Sequence, residues 1–146
     1  MSFLSKLFKS KSPITLREKI LKSIDLYIEH YENPTNIKSS IARISDSEEE
    51  ATKLFLFIPL VFCRILIPEV KYSDLYITTD SKGDEKTERF SESLIYNEIM
   101  TVSNENFDNY DVMKILFHSG DFKAINEALK NGANLEDLES APSRIL

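Results

Sequence analysis

From Thr15 onward the apolar residues fall at helical spacing: Leu16, Ile20, Ile24, Tyr27 and Tyr31 recur at intervals of three and four, and Leu21 and Ile28 widen the stripe. One broad apolar face of this kind predicts a helix packed against a core. Thr15-Leu16-Arg17-Glu18 has the pattern of a capping box and marks its start. Asn33-Pro34-Thr35 marks its end near Glu32, because proline disfavours helical geometry in the residue before it. A shorter helix over Asn36 to Ile44 follows. Ser47-Glu48-Glu49-Glu50 is a second capping box, with its acids beside the exposed amides of a helix start. Ala51, Leu54, Phe55 and Ile58 continue the helical spacing, and from Leu54 the sequence is apolar almost all round, as in a helix enclosed by protein. Pro59 lacks the donor for one ladder bond and crowds the carbonyl of Phe55, so this central helix either kinks there or breaks into two pieces before Pro68; a kink is expected.

The pattern changes at Tyr72. Leu75 to Thr79 holds strand formers, Asp80-Ser81-Lys82-Gly83-Asp84 is turn chemistry, and Lys86 to Phe90 has the length of a returning strand. A small β-hairpin is predicted, with a long charged loop as the competing reading. Ser91 or Ser93 then caps a helix carrying Leu94, Ile95, Ile99 and Val102, and Ser103 to Asn106 reads as a polar loop. The remainder predicts a helical hairpin: Asp111 to His118, a stop at Gly120, Asp121 as cap, and Phe122 to Lys130 before Asn131-Gly132. The sum is a mainly α fold: a helical bundle around a central buried helix, with a small β-hairpin and a C-terminal helical hairpin. At 146 residues one domain over 1–146 is expected.

Gly120-Asp121, followed by Ile125, Ala128-Leu129 and Gly132-Ala133-Asn134-Leu135, resembles the second helix and closing glycine turn of an ankyrin repeat. The resemblance covers residues 108–138, about the last quarter of the chain. Asp108-Asn109-Tyr110-Asp111 stands where the family has its Thr-Pro-Leu-His turn, and Leu116-Phe117 replaces the paired small residues of its first helix. A stack of such repeats needs at least about three members, so the resemblance implies one hairpin leaning on the rest of the domain.

Charge narrows the function. The net charge is −6, yet the first eleven residues hold three lysines and no acid, which leaves −9 on the other 135. An acidic body repels nucleic acid and anionic lipid and attracts basic partners. Size and charge together resemble bacterial immunity proteins, which neutralise basic toxin domains. The candidate partner-binding residues are Asp46, Glu48, Glu49 and Glu50, together with Glu105, Phe107, Asp108, Tyr110 and Asp111, where two aromatics stand among acids. Phe107 and Tyr110 have an equally simple use as core anchors beside a helix start. At the N-terminus, residues 1–11 form a basic amphipathic arm, with Phe3, Leu4, Leu7 and Phe8 on one side and Lys6, Lys9 and Lys11 around it. Docking on the body is expected of the arm, with a membrane-surface foot as the alternative.

Catalytic and cofactor patterns are missing from the sequence. Its three glycines all fall at turns or helix ends, leaving none for a phosphate loop, and His30 and His118 have no second ligand at metal spacing. The acidic turn Asp80-Asp84-Glu85 lacks the alternation of a calcium loop. Neither a cofactor nor an enzymatic activity is expected; the rival reading is a small enzyme using scattered residues such as Glu98, His118 and Asp121. Cys63, the only cysteine, lies in an apolar run and reads as a small buried hydrophobe in a reducing, cytoplasmic compartment. The leading expectation is therefore a cytoplasmic binding protein with a basic protein as its partner.

Overall fold

The structure is a computed structural model and describes residues 14–145; the basic arm at 1–11 lies outside the described residues. Three helices come first: α1 (Leu16–Glu29), α2 (Pro34–Ile44) and α3 (Glu48–Leu66). A hairpin follows, β1 (Leu75–Thr79) and β2 (Glu85–Arg89), then α4 (Leu94–Asn106), α5 (Val112–Leu116), α6 (Gly120–Lys130) and a short β3 (Ser143–Ile145). The fold is mainly α, with a small three-stranded sheet.

Local chemistry sets the helix ends. Thr15 Oγ1 accepts the Glu18 N–H at 3.1 Å and donates to the Glu18 carboxylate at 3.2 Å. Asn33 does double duty. It follows the turn that closes α1 at Glu29, three residues earlier than expected, and its Oδ1 accepts the Asn36 N–H at 3.1 Å to cap α2. Pro34 then occupies the first helical position, where a missing N–H costs nothing, so α2 begins two residues before the expected Asn36. Ser47 Oγ accepts the Glu50 N–H at 3.1 Å, and Glu50 reaches back to the N–H of Asp46 at 3.0 Å. α4 continues through the expected loop Ser103 to Asn106. There Asn104 and Asn106 donate their amides to the Met100 and Val102 carbonyls one turn back, each at 3.0 Å.

The central helix is enclosed as its sequence demands: Leu54 and every residue from Phe57 to Cys63 are buried. It runs as one helix through Pro59. Proline at 59 removes the N–H that would bond the Phe55 carbonyl. The Tyr27 hydroxyl, delivered by α1, donates to that carbonyl instead. Tyr27 is fully buried and its ring stacks on Phe55, with centroids 6.0 Å apart.

In the sheet β1 is central. It pairs antiparallel with β2, Leu75 opposite Arg89, as the hairpin pattern predicts. It also pairs parallel with β3, Tyr76 beside Ser143 and Thr78 beside Ile145, a strand that the pattern does not announce. Gly83 turns the hairpin at φ +85°, and Asp80 Oδ1 accepts the N–H groups of Lys82 and Asp84 at 2.8 and 2.9 Å. An aromatic cluster joins sheet to helices: Phe90 lies 5.2 Å from Phe57 of α3, 4.8 Å from Tyr76 of β1 and 4.9 Å from Tyr96 of α4.

The C-terminal hairpin packs Ile115, Leu116 and Ile125 into the same core. Its first helix is shorter than the expected Asp111 to His118. Gly120 begins α6 instead of stopping α5, and the cap is Ser119, whose buried hydroxyl accepts the Phe122 N–H at 3.1 Å; Asp121 sits in the first turn. His118 Nε2 bonds the Tyr31 carbonyl at 2.6 Å and ties this hairpin to the end of α1.

Tyr27→Phe strands the Phe55 carbonyl in the core and is expected to lower the unfolding free energy by about 1–3 kcal/mol. In a Pro59→Ala background the restored N–H takes over that carbonyl, so the same substitution costs measurably less. Equal costs in both backgrounds, measured by denaturant unfolding, would refute the compensation.

Candidate functional site

Two acidic segments far apart in sequence meet at one groove. Glu48, Glu49 and Lys53 line one side from the first turns of α3, and Thr78, Asp80, Lys86 and Glu88 line the other from the hairpin, enclosing about 580 Å³. Four carboxylates therefore face two lysines. Glu49 pairs with Lys53 at 2.8 Å, one helical turn on, and Glu88 with Lys86 at 3.4 Å. The Tyr76 hydroxyl bond, foremost, and the two lysines hold the Glu88 carboxyl below the usual carboxylate range, against the effect of its burial. Burial, and then Glu88, push the Tyr76 phenol up, so it stays a donor. Asp80 Oδ1 is committed to the turn. Among the described residues Glu48 makes no ion pair, and it projects from a helix start with its charge available.

The other two acids of the first cluster, Asp46 and Glu50, both bond a buried lysine. Lys19 is almost completely buried on α1, and its ammonium lies 2.9 Å from Asp46 and 2.8 Å from Glu50. Burial acts to lower the Lys19 pKa, but the bonds to Glu50 and Asp46 outweigh it and the group is held above its ordinary value. Asp46 and Glu50 thus neutralise a buried cation. The Glu105 to Asp111 segment divides in a similar way. Glu105 pairs with Arg17 of α1, and Asp111 with Lys114 at 3.7 Å. The half-buried Phe107 stacks on Phe62 at 5.6 Å, and Tyr110 meets the same ring edge-on at 6.2 Å. Asp108 is exposed. Beside this segment Met113 and Phe117 are 59% and 53% exposed, with Phe117 against Tyr31 at 5.8 Å.

A second polar region lies under α6. Arg64 donates to the Tyr96 hydroxyl at 3.1 Å and the Ser73 carbonyl at 3.0 Å, and its guanidinium lies over the Phe90 ring at 4.5 Å. Cys63 is fully buried, and burial pushes its thiol up, which keeps it in the unreactive form. His118 and Asp121 border a common cavity of about 140 Å³; Glu98 is not among its lining residues and lies within electrostatic reach of Arg17. Burial lowers the His118 pKa, a shift that Lys123 reinforces and the Tyr31 carbonyl opposes. Burial pushes the Asp121 carboxyl up, partly offset by Arg64.

No family model, curated protein or solved structure matches the chain. Among the described residues no helix is long and apolar enough to cross a membrane, and no group of three or more histidine, cysteine or acidic side chains is placed to hold a metal.

Lys19→Met leaves two carboxylates facing an apolar stem and is expected to cost about 2–3 kcal/mol in denaturant unfolding. Glu50→Gln is expected to cost more than Asp46→Asn, because the Glu50 side chain is 17% exposed and that of Asp46 83%; the reverse order would refute the assignment. For Asp121 the raised carboxyl means that the folded state resists ionisation. Its cost is absent below the ordinary carboxylate value, grows as pH rises through the raised one, and is complete above it. Asp121→Asn is therefore expected to raise the melting temperature at neutral pH, with the gain vanishing in acid; a constant difference across the range would contradict this.

Proposed function

We propose that this chain is a small acidic protein-binding module, and that the groove between the start of α3 and the hairpin receives lysine or arginine side chains of a basic protein partner. The convergence of the two acidic segments on that groove carries the reading. Segments more than twenty residues apart present Glu48, Glu49, Asp80 and Glu88 to one concavity, and two lysines offset only part of their charge. The net −9 outside the first eleven residues adds a field that speeds the approach of a cationic partner. An immunity protein that neutralises a basic toxin domain is the specific form of this reading, supported by size and charge. The ankyrin-like hairpin at 108–138, presenting Met113 and Phe117 beside Asp111, adds an apolar surface with an acidic margin that suits the same class of partner.

Binding of a fluorescent lysine- and arginine-rich peptide, followed by anisotropy at low salt, tests the groove. The doubly substituted Glu48→Gln, Glu49→Gln protein is expected to bind it about tenfold more weakly, and the native complex to weaken as salt rises from about 50 to about 300 mM. Glu69→Gln, exposed and not among the residues that line the groove, is expected to change little. A glutamate-rich peptide that binds as well as the basic one, or a doubly substituted protein that binds unchanged, would overturn the proposal.

A further inference from the structure

The groove between α6 and the C-terminal segment differs in character from the acidic one. It measures about 380 Å³, within the range of small-molecule sites. Val70, Ala124, Ile125, Ala128 and Leu138 give it apolar wall, the exposed Glu139 stands among the C-terminal residues that line it, and none of its lining residues is basic. Ala124 and Ala128 lie one turn apart on α6, so two short side chains leave an apolar channel along the helix. Asp121 also lines it, and its Oδ2 is buried with no hydrogen-bond partner. Among the described residues Asp121 makes no ion pair. Arg64, the cation that it senses, directs its terminal nitrogens to the Tyr96 hydroxyl and the Ser73 carbonyl and its face to the Phe90 ring, and it leaves its own Nε buried without a partner instead of bonding Asp121. A desolvated carboxylate without a partner is costly, and the chemistry that relieves it is a donor cation.

We infer that this groove is a binding site for an aliphatic ammonium group, the cation meeting the Asp121 carboxylate and the methylene chain lying along Ala124, Ile125, Ala128 and Leu138. A free alkylamine and the side chain of a lysine share this chemistry. The site is independent of the groove at Glu48, and no residue is common to the two.

The test is a titration of the full chain with hexylammonium chloride, hexanol and Nα-acetyl-lysine methylamide at constant ionic strength, read from the methyl resonances of Ala124, Ile125, Ala128 and Leu138. Hexylammonium is expected to give saturable shifts and to bind at least about tenfold more tightly than hexanol, the discrimination that an unpaired carboxylate provides. Asp121→Asn is expected to remove that preference while leaving hexanol binding in place. Ala128→Leu, which fills the channel, is expected to abolish both. A methylamide that matches hexylammonium identifies a protein lysine as the source, and one that fails to bind identifies a free amine; either sustains the inference. Amine and alcohol titrating alike, amine binding unchanged in Asp121→Asn, or shifts confined to residues outside this groove would overturn it. Circular dichroism of both variants verifies that the fold is retained.

Discussion

The buried central helix is the constraint on which the rest of the structure depends, and its weak point is one carbonyl. A helix enclosed by protein has no water to satisfy a broken ladder bond, so proline at position 59 leaves the Phe55 oxygen to find a donor from another element. Tyr27 provides it, which fixes how α1 lies against α3: the hydroxyl must reach Phe55 while the ring stacks on the Phe55 side chain. His118 meets the same tyrosine edge-on at 5.3 Å and bonds the Tyr31 carbonyl, so the C-terminal hairpin is registered on the same corner. One missing N–H thus organises three elements through a single buried ring.

The sheet attaches at the opposite side by other means. Phe90 has aromatic neighbours from α3, β1 and α4, and Arg64 covers its face at 4.5 Å, its two terminal nitrogens hydrogen-bonded to the Tyr96 hydroxyl and the Ser73 carbonyl. The C-terminal segment then closes along β1. The Ser73 N–H donates to Ser140 Oγ at 2.8 Å, the Lys71 N–H donates to the Leu138 carbonyl, the Lys71 carbonyl accepts the Ser140 N–H, and β3 completes the register. That closure creates the groove under α6, because a strand held at the sheet edge stands away from a helix whose facing residues are alanines.

These two attachments show what the sequence discloses and what it withholds. Helix starts are legible at Thr15 and Ser47, and at Ser91 or Ser93, of which Ser93 is the cap, because a cap is a local hydrogen bond whose partners lie three residues apart. The hairpin was legible because its turn residues and strand formers adjoin. β3 was not: three residues with no alternation carry no periodic signal, and its partner lies far back along the chain. Gly120 misled for a related reason. Glycine favours helix ends, yet Ser119 beside it supplies a cap, and the stronger local hydrogen bond decides that the helix starts there. The acidic residues stand out as clusters, but nothing along the chain divides them. Lys19 sits in an apolar stripe as a lone lysine, and nothing along the chain announces that it is buried and takes Asp46 and Glu50 with it.

That division changes what the charge of the protein means. A net charge sums every carboxylate equally, whereas Arg17 offsets Glu105 and Lys19 offsets one of the two charges of Asp46 and Glu50. The outward potential comes from the residues left over, and Glu48 is the clearest of them because it lines the groove and makes no ion pair among the described residues. Screening confines that potential to roughly 8 Å at physiological ionic strength, so the general acidity governs approach and the groove governs fit. Recognition in this molecule therefore depends less on how many acids it carries than on which of them the fold has left without a cation.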